Sequence, residues 1–137
     1  MKEFRKVSSL KFLYEISQDG ILRNVKSKKE TSFDLEKNGY YRCTIHNSSI
    51  AKSPKHFLKH RLVAECWCDI PERLKDYPMN KLQVNHIDGD KSNNNYKNLE
   101  WVLPFENVRH AVKNNLWYES EEFTQQKHEK KPIMCVE

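Results

Sequence analysis

The stretch from Val84 to His110 limits the fold of this chain more than any other part of the sequence. It starts with a β-type run ending at His86 and continues into a loop rich in Asn, Gly and Asp, from Asp88 to Asn95. A second β-type run covers Leu99 to Leu103, and Pro104 follows as a typical first residue of a helix. Asn and Gly tolerate left-handed backbone, and Asn side chains bond their own main chain, so we expect an ordered loop. The stretch therefore predicts a β-hairpin with an ordered loop and a short helix packed across it.

The N-terminal half of the chain has the alternating pattern of short strands. Three strands are predicted there, over residues 12–17, 21–27 and 40–45. Asp19-Gly20 supplies a hairpin turn between the first two, and Asn38-Gly39 is the turn signal before the third. After residue 57 the apolar residues recur with the period of a helix. We expect that helix to start near Lys59 and to end before Pro71.

Length and composition restrict the class of protein. A chain of 137 residues suits one modest domain, or two small lobes that share a core. It has no apolar run near the ~20 residues that a membrane span needs, and its charged N-terminus does not look like a signal peptide. We therefore expect a soluble, cytoplasmic protein with no membrane partner. The four cysteines are too few and too irregular for a disulfide scaffold, but a structural zinc domain using Cys66, Cys68 and histidines stays open.

The net charge of +5 is unevenly distributed along the chain. Residues 1–61 contain 14 Lys and Arg against 6 Asp and Glu, whereas residues 62–137 contain 10 against 13. If a polyanion binds, the first half is expected to supply most of the attraction for its phosphates. The alternative is that these lysines form the solvated face of a small protein.

Three polar residues of the stretch from Val84 to His110 have the chemistry that phosphodiester hydrolysis needs. The reaction requires a base that deprotonates water and positive charge on the phosphate and the leaving oxygen. His86 suits the first task because an imidazole with a pKa of about 6.5 is mostly neutral at neutral pH. Amide oxygens of Asn85 and Asn107 can bind the divalent cation, provided that the strand end bends to let Asn85 and His86 share one phosphate. Asp88 and Asp90 are alternative ligands, although such loop residues more often cap turns.

The blocks NHIDGDKSNN, NLEW, EN and RH, in this order, resemble the HNH nucleases of the ββα-metal type. Within that family they are most similar to phage and intron-encoded homing endonucleases. Asn98 follows His86 by 12 positions, and Asn107 follows Asn98 by 9, which agrees with the family. Upstream, YEIS and HRLVAECW look like the small module that often precedes this core, so that the resemblance covers residues 4–116.

The resemblance implies a role for each matching residue. His86 would be the general base, Asn98 would keep the loop and hairpin in register, and Asn107 would bind the metal. Asn85 falls on the family's other ligand position, and His110 is expected to touch the scissile phosphate or support the metal site. One Mg²⁺ or Mn²⁺ per active site is implied, with no small-molecule cofactor. This chain departs from the family at Asn107, where the family name has histidine, and at Asn85, where an acidic or histidine ligand is frequent.

Together these patterns predict an α+β protein. A basic, β-rich lobe with one helix is expected over residues 1–70, packed on a ββα-metal hairpin–helix core over residues 71–117, with a polar tail over residues 118–137. The resemblance implies a homing or nicking endonuclease for double-stranded DNA that is a monomer or weak homodimer. It would be encoded by a phage or an intron and act in a bacterial host. The alternative is a catalytically weak or inactive DNA-binding protein of the same fold, because both metal positions are neutral.

Basic side chains on the first hairpin, the first helix, the loop tip and the last helix are the candidate DNA contacts. They are Lys26, Lys28, Lys29, His60, Arg61, Lys91 and Arg109. For His60 a second interpretation is equally strong, as a packing residue between the two lobes.

Overall fold

The computed structural model describes residues 2–113, so the predicted polar tail lies outside the described residues. Within them the strands are β1 (Phe4–Lys6), β2 (Tyr14–Ser17), β3 (Leu22–Asn24), β4 (Glu30–Thr31), β5 (Asp34–Leu35), β6 (Tyr41–Ile45), β7 (Lys55–Leu58), β8 (Gln83–His86) and β9 (Leu99–Val102). The helices are α1 (Lys59–Trp67) and α2 (Pro104–Lys113). Short 3-10 turns lie at Ser8–Leu10, Glu72–Leu74, Met79–Lys81 and Tyr96–Asn98. This mixture of strands and helices confirms the predicted α+β class.

The strands form three antiparallel sheets, in the orders β1-β2-β3-β4, β5-β6-β7 and β8-β9. The predicted Asp19-Gly20 turn joins β2 to β3, and Ser17 and Ile21 close it with a backbone hydrogen bond of 3.0 Å. Gly20 has a φ of +98°, a conformation that glycine adopts readily and other residues rarely do. The first hairpin is therefore where the sequence predicts it.

Two predicted strands are shorter in the structure because local turns end them. β2 starts at Tyr14, since Phe12 lies in a tight turn with a φ of +61°. β3 ends at Asn24, whose Oδ1 atom accepts hydrogen bonds from the backbone N–H groups of Lys26 and Ser27. Such a side-chain turn competes with the sheet for the backbone, which explains the early end of the strand.

Helix α1 lies at the centre of the molecule and packs against all three sheets. It starts at Lys59, as predicted, and buries Leu62 and Val63 almost completely. The Trp67 indole donates a hydrogen bond of 3.1 Å to the Ile16 carbonyl of the first sheet. Burial of each such aliphatic side chain contributes about 1.5–3 kcal/mol, so the helix joins the sheets into one core. The predicted boundary between the two lobes, near residue 70, stays a prediction, because the hydrophobic core includes residues from both sides of it.

The third sheet and α2 form the predicted hairpin–helix unit. Pro104 occupies the first position of α2, and Glu106 accepts a hydrogen bond from the Leu103 N–H at 2.8 Å. A glutamate at the third helical position that bonds back to the residue before the helix is a capping arrangement. Arg73 pairs with the other oxygen of Glu106 at 2.6 Å. The first turn of α2 is therefore fixed where it packs against β8.

The cysteines of the described part of the chain have structural surroundings. The Cys66 thiol donates to the Lys6 carbonyl at 3.6 Å, and the Cys68 thiol donates to the Tyr96 carbonyl at 3.4 Å. Burial raises the pKa of the two thiols to about 12 and about 11, respectively. Residues 2–113 contain no group of three or more His, Cys, Asp and Glu side chains that could hold a metal ion. These surroundings disfavour the structural zinc alternative for Cys66 and Cys68.

Neither helix of the described residues is long and apolar enough to cross a membrane.

Candidate active site

A cleft of about 380 Å³ opens beside β8, the loop that follows it and α2. Its lining includes the predicted site residues Asn85, His86, Lys91, Asn107 and His110. Asn85 and His86 are neighbours in β8 and both line the cleft, and their contact with one shared phosphate stays a prediction. The structure thus brings together side chains that are up to 25 positions apart in the chain.

His86 is buried and hydrogen-bonded through one ring nitrogen. Its Nε2 atom lies 2.7 Å from Oδ1 of Asn94, and both side chains are 5% exposed. An amide oxygen only accepts, so this bond places the imidazole proton on Nε2. The Nδ1 atom is then the basic nitrogen of the neutral ring.

The sequence indicated Asn94 only as part of the loop. Its Nδ2 atom is buried and lacks a hydrogen-bond partner among the described residues, so the side chain is fixed through Oδ1 alone. Nothing in the run from Asn93 to Asn95 distinguishes the residue that faces His86. The contact depends on the path of the loop, which only the structure gives.

His60 packs directly behind His86. The two ring centroids are 5.0 Å apart, and Tyr40 stacks on His60 at 4.9 Å and lies 6.0 Å from His86, so the three rings form one cluster. Burial, aided by the nearby His86 and Arg61, lowers the pKa of His60 to about 3, so its ring is neutral at physiological pH. Because His60 is buried and, unlike His86, does not line the cleft, it presents little surface to a DNA phosphate. Of the two expectations for this residue, the structure favours packing over DNA contact.

Asn98 lies outside the cleft and connects the two ends of the loop. Its Oδ1 accepts from the Asp88 N–H at 3.0 Å, and its Nδ2 donates to an Asp88 oxygen and to the Asn93 carbonyl at 2.9 Å each. Asp88 also caps the N–H of Asp90, and these hydrogen bonds, first that from Asn93, lower the pKa of the Asp88 carboxyl group. Asp88 and Asp90 therefore act as turn caps in this loop.

The two candidate metal ligands share one arrangement. Asn85 donates from Nδ2 to Oε2 of Glu100 at 2.8 Å, and Asn107 donates from Nδ2 to Oε1 of Gln83, also at 2.8 Å. In both residues the amide nitrogen is engaged, which leaves the amide oxygen as the donor atom for a cation. Oxygen donors suit a hard ion such as Mg²⁺ or Mn²⁺, so the residues present fit the group that the resemblance implies. The sequence did not single out Glu100 or Gln83, because cross-strand partners follow only from the register of the hairpin.

Two further cleft residues have contacts that place their charged or polar ends. His110 lies 2.9 Å through Nε2 from the Ile87 carbonyl, an arrangement in which the ring nitrogen donates. Lys91 donates to the Asn38 carbonyl at 2.8 Å, and its ammonium lies 4.6 Å from the centre of the Tyr40 ring. Lys91 thus connects the loop of the third sheet to the turn of the second sheet while it lines the cleft.

The remaining candidate DNA contacts lie outside the lining of the cleft. Arg61 donates to the Leu82 carbonyl at 2.9 Å, and Lys28 pairs with Glu15 at 3.1 Å, so both have structural partners. Lys26, Lys29 and Arg109 are exposed, and Lys28 is exposed as well despite its ion pair.

The family comparison covers the segment that builds most of the cleft. Residues 76–109 match the model of an HNH endonuclease family. Over this segment the chain is similar to HNH endonucleases. In it β8, the loop and β9 form the hairpin, and the first turns of α2 supply the helix.

Relatives extend the similarity to the N-terminal part of the chain. The uncharacterized HNH endonuclease L245 of Acanthamoeba polyphaga mimivirus is 41% identical over 103 residues, which are 75% of this chain and 28% of the relative. DNA endonuclease I-HmuI of Bacillus phage SP01 is 31% identical over 110 residues, 80% of this chain and 58% of the relative. The chain therefore spans only between about a quarter and three-fifths of the length of these curated relatives.

A solved structure agrees with the HNH assignment. The structure that describes DNA binding and cleavage by the HNH homing endonuclease I-HmuI superposes with a TM-score of 0.69 and 28% sequence identity. The match covers 93% of this chain and 66% of that chain. It confirms the predicted resemblance to homing endonucleases of the HNH type, including the part that precedes the HNH domain.

Proposed function

We propose that this chain is a divalent-metal-dependent endonuclease that hydrolyses phosphodiester bonds of double-stranded DNA. The observation that carries the proposal is the presence of His86, bonded to Asn94, in the same cleft as the amides of Asn85 and Asn107. The segment that builds this cleft matches the HNH family, and the similar I-HmuI is a DNA endonuclease. These facts support the homing or nicking type over other nucleases.

In the proposed reaction His86 is the general base. Its Nδ1 atom takes a proton from a water molecule, whose oxygen attacks the phosphorus as the bond to the 3′-oxygen breaks. The departing 3′-oxygen takes up a proton from solvent water, so the products are a 5′-phosphate and a 3′-hydroxyl end. The Asn94 oxygen accepts the hydrogen bond from Nε2 throughout, so it orients the ring and stabilises the imidazolium that forms.

Asn85 and Asn107 are the proposed protein ligands of one Mg²⁺ or Mn²⁺. When bound, such an ion supplies positive charge to the phosphate and the leaving oxygen. Neutral amides are weak ligands, so we expect low metal affinity until the substrate phosphate is present. His110 lines the same cleft and is the proposed support for the scissile phosphate.

The electrostatic attraction for DNA is proposed to come mainly from residues 1–61, which hold most of the excess positive charge. Lys26 and Lys29 on the turn after β3, with Lys91 and Arg109 beside or near the cleft, are the proposed phosphate contacts. One active site per chain implies a nick, unless two chains pair. The proposed setting is the cytoplasm of a bacterial host, with the gene in a phage or an intron.

The proposal is tested by incubating supercoiled plasmid with Mg²⁺ or Mn²⁺ and, in parallel, with a chelator. We expect relaxed or linear product only with the metal. His86→Ala should abolish the product while a mobility-shift assay still shows DNA binding. His46→Ala, the same substitution at an exposed residue outside the cleft lining, is the matched control and should cleave normally. Cleavage by a clean preparation of His86→Ala would overturn the assignment of the base.

A second function, DNA binding without cleavage, is favoured by one observation. Both proposed protein ligands of the metal are uncharged. The same assays separate the two functions. A mobility shift together with intact plasmid at every Mg²⁺ and Mn²⁺ concentration would support the binding protein and exclude the nuclease.

A further inference from the structure

The two proposed metal ligands differ in what sets the orientation of their amides. Asn85 donates to Glu100, and an ionised carboxylate only accepts hydrogen bonds. The nitrogen of Asn85 must therefore face Glu100, and its oxygen must face away. Asn107 bonds to Gln83, which is itself an amide and can present an oxygen or an NH₂ group. Of the two partners, only Glu100 fixes the orientation of the amide that it contacts.

The position of Glu100 makes this contact firm. Asn85 and Glu100 are directly opposite each other in the register of β8 and β9, so their side chains leave the sheet on the same face. Asn85 is 6% exposed, and Glu100 is half-buried. A hydrogen bond from an amide to a carboxylate is stronger than one between neutral groups. It also draws electron density toward the amide oxygen, which strengthens that oxygen as a ligand.

We propose that Glu100 is a positioning residue for the metal site, which acts through Asn85. It holds the Asn85 amide with Oδ1 available to the cation and polarises it, which offsets the absence of a charged ligand at this position. The inference rests on the proposed function, because it takes Asn85 as a metal ligand. Glu100 itself does not touch the cation in this proposal.

The test measures Mn²⁺ binding by electron paramagnetic resonance, with a short DNA duplex present. All proteins are the full chain with His86→Ala, so that the duplex stays intact during the titration. Glu100→Gln replaces the carboxylate by an amide that can meet either end of Asn85. We expect it to weaken Mn²⁺ binding about tenfold, the usual loss when a group that orients a metal ligand is changed. Glu72→Gln is the matched control, because Glu72 is an exposed glutamate paired only with Lys75 among its described ion pairs. This variant should bind Mn²⁺ with the same affinity as the parent, which is the full chain with His86→Ala alone.

A double-mutant cycle then separates positioning from a general effect of charge. If Glu100 acts through Asn85, Glu100→Gln should change Mn²⁺ affinity in the parent but not in an Asn85→Ala background. Equal affinities of Glu100→Gln and Glu72→Gln would overturn the inference, and so would a full tenfold effect in the Asn85→Ala background. Glu100→Ala repeats the comparison with a side chain too short to bond, and circular dichroism checks that each variant is folded.

The failure of this inference is distinguishable from the failure of the proposed function. If the parent binds no Mn²⁺ beside DNA, Asn85 is not a ligand, and both proposals are overturned. If the parent binds Mn²⁺ and Asn85→Ala weakens it while Glu100→Gln does not, only the role of Glu100 is overturned.

Discussion

His86 has two buried neighbours that act on it in different ways. Asn94 contacts its Nε2 atom through a hydrogen bond, whereas His60 packs against its ring face. The first contact decides which nitrogen has the proton, and the second decides where the ring lies. A base that must meet a water molecule needs both.

Asn94→Ala is expected to reduce cleavage about tenfold or more, because the neutral ring loses the bond that keeps Nδ1 basic and directed. The free energy of unfolding should also fall, by about 1–3 kcal/mol, since the Nε2–H of His86 is left buried without an acceptor. Asn94→Asp retains an acceptor and should keep most of the activity. Plasmid cleavage rates and urea unfolding measure the two effects.

Asn93→Ala is the control for Asn94→Ala. Asn93 bonds to Asp88 in the same loop but has no hydrogen bond to His86, so its removal tests the effect of a loosened loop alone. We expect a similar loss of stability with a much smaller loss of cleavage. If the two variants cleave at the same rate, Asn94 has no specific role in orienting the base.

His60 is expected to make stability depend on pH. Burial lowers its pKa from 6.5 to about 3, so as the pH falls below 6.5 the unfolded chain takes up a proton that the folded chain does not. The contribution of His60 to the free energy of unfolding is therefore complete above pH 6.5. It falls as the pH is lowered toward 3, by up to about 1.4 kcal/mol per pH unit. His60→Phe keeps a ring packed beside Tyr40 and His86 and should flatten this dependence between pH 6 and about pH 4.5.

Urea unfolding at a series of pH values measures the effect. Glu15 and Asp19 also have lowered pKa values, but the stability that they add is lost mainly below their unfolded values of 4.5 and 3.8, at and below the acid end of this window. His46→Phe, at an exposed histidine, controls for the substitution itself. An equal slope in the parent and in His60→Phe would contradict a neutral, buried His60.

At the scale of elements, the site depends on how β8 and α2 are held together. Asn107 lies in the first turns of α2, and its partner Gln83 starts β8. The start of the helix is set by Pro104 and by the bond from Leu103 to Glu106. The placement of one proposed metal ligand therefore depends on a helix cap.

Glu106→Ala is expected to lower the free energy of unfolding by about 1–2 kcal/mol, because the cap at Leu103 is lost. Arg73→Ala removes only the ion pair with Glu106, which is half exposed on the arginine side, and should cost less than about 1 kcal/mol. Urea unfolding compares the two variants. Equal losses would mean that the ion pair, and not the cap, is the stabilising contact.

At the scale of the whole molecule, the helix α1 and the charge distribution have separate roles. Buried residues of all three sheets and α1 form one hydrophobic cluster, so the hairpin–helix unit and the N-terminal sheets share a core. The excess positive charge, in contrast, lies in residues 1–61, away from the hairpin sequence. The shared core is what fixes a basic surface relative to the cleft.

The salt dependence of DNA binding tests the proposed phosphate contacts. Each lysine that neutralises a phosphate contributes about one to the slope of log affinity against log salt concentration. The double variant Lys26→Gln/Lys29→Gln should therefore reduce the slope by about two. Fluorescence anisotropy with a labelled duplex at several salt concentrations measures it. Lys75→Gln is the control, because Lys75 pairs with Glu72, and it should leave the slope unchanged. An unchanged slope in the double variant would mean that Lys26 and Lys29 do not contact DNA phosphates.

The sequence by itself determined the local architecture of the site and the set of residues that meet there. The hairpin up to His86, the ordered loop, the helix from Pro104 and the start of α1 at Lys59 all follow from hydrophobic period and turn residues, which are local signals. It did not predict β7, which directly precedes α1, or the short strands β1, β4 and β5. Strands of two or three residues have little pattern of their own and exist because a neighbouring strand pairs with them.

Only the tertiary structure decided how each site residue is held. The bond from Asn94 to His86 depends on the path of a loop, and that from Glu100 to Asn85 on the register of two strands. The choice between packing and DNA contact for His60 depends on which surfaces cover α1. These contacts join residues through space, where spacing along the chain gives no direction for a side chain. The sequence therefore predicts a base and two metal ligands, and the fold determines the protonation, orientation and exposure of these side chains.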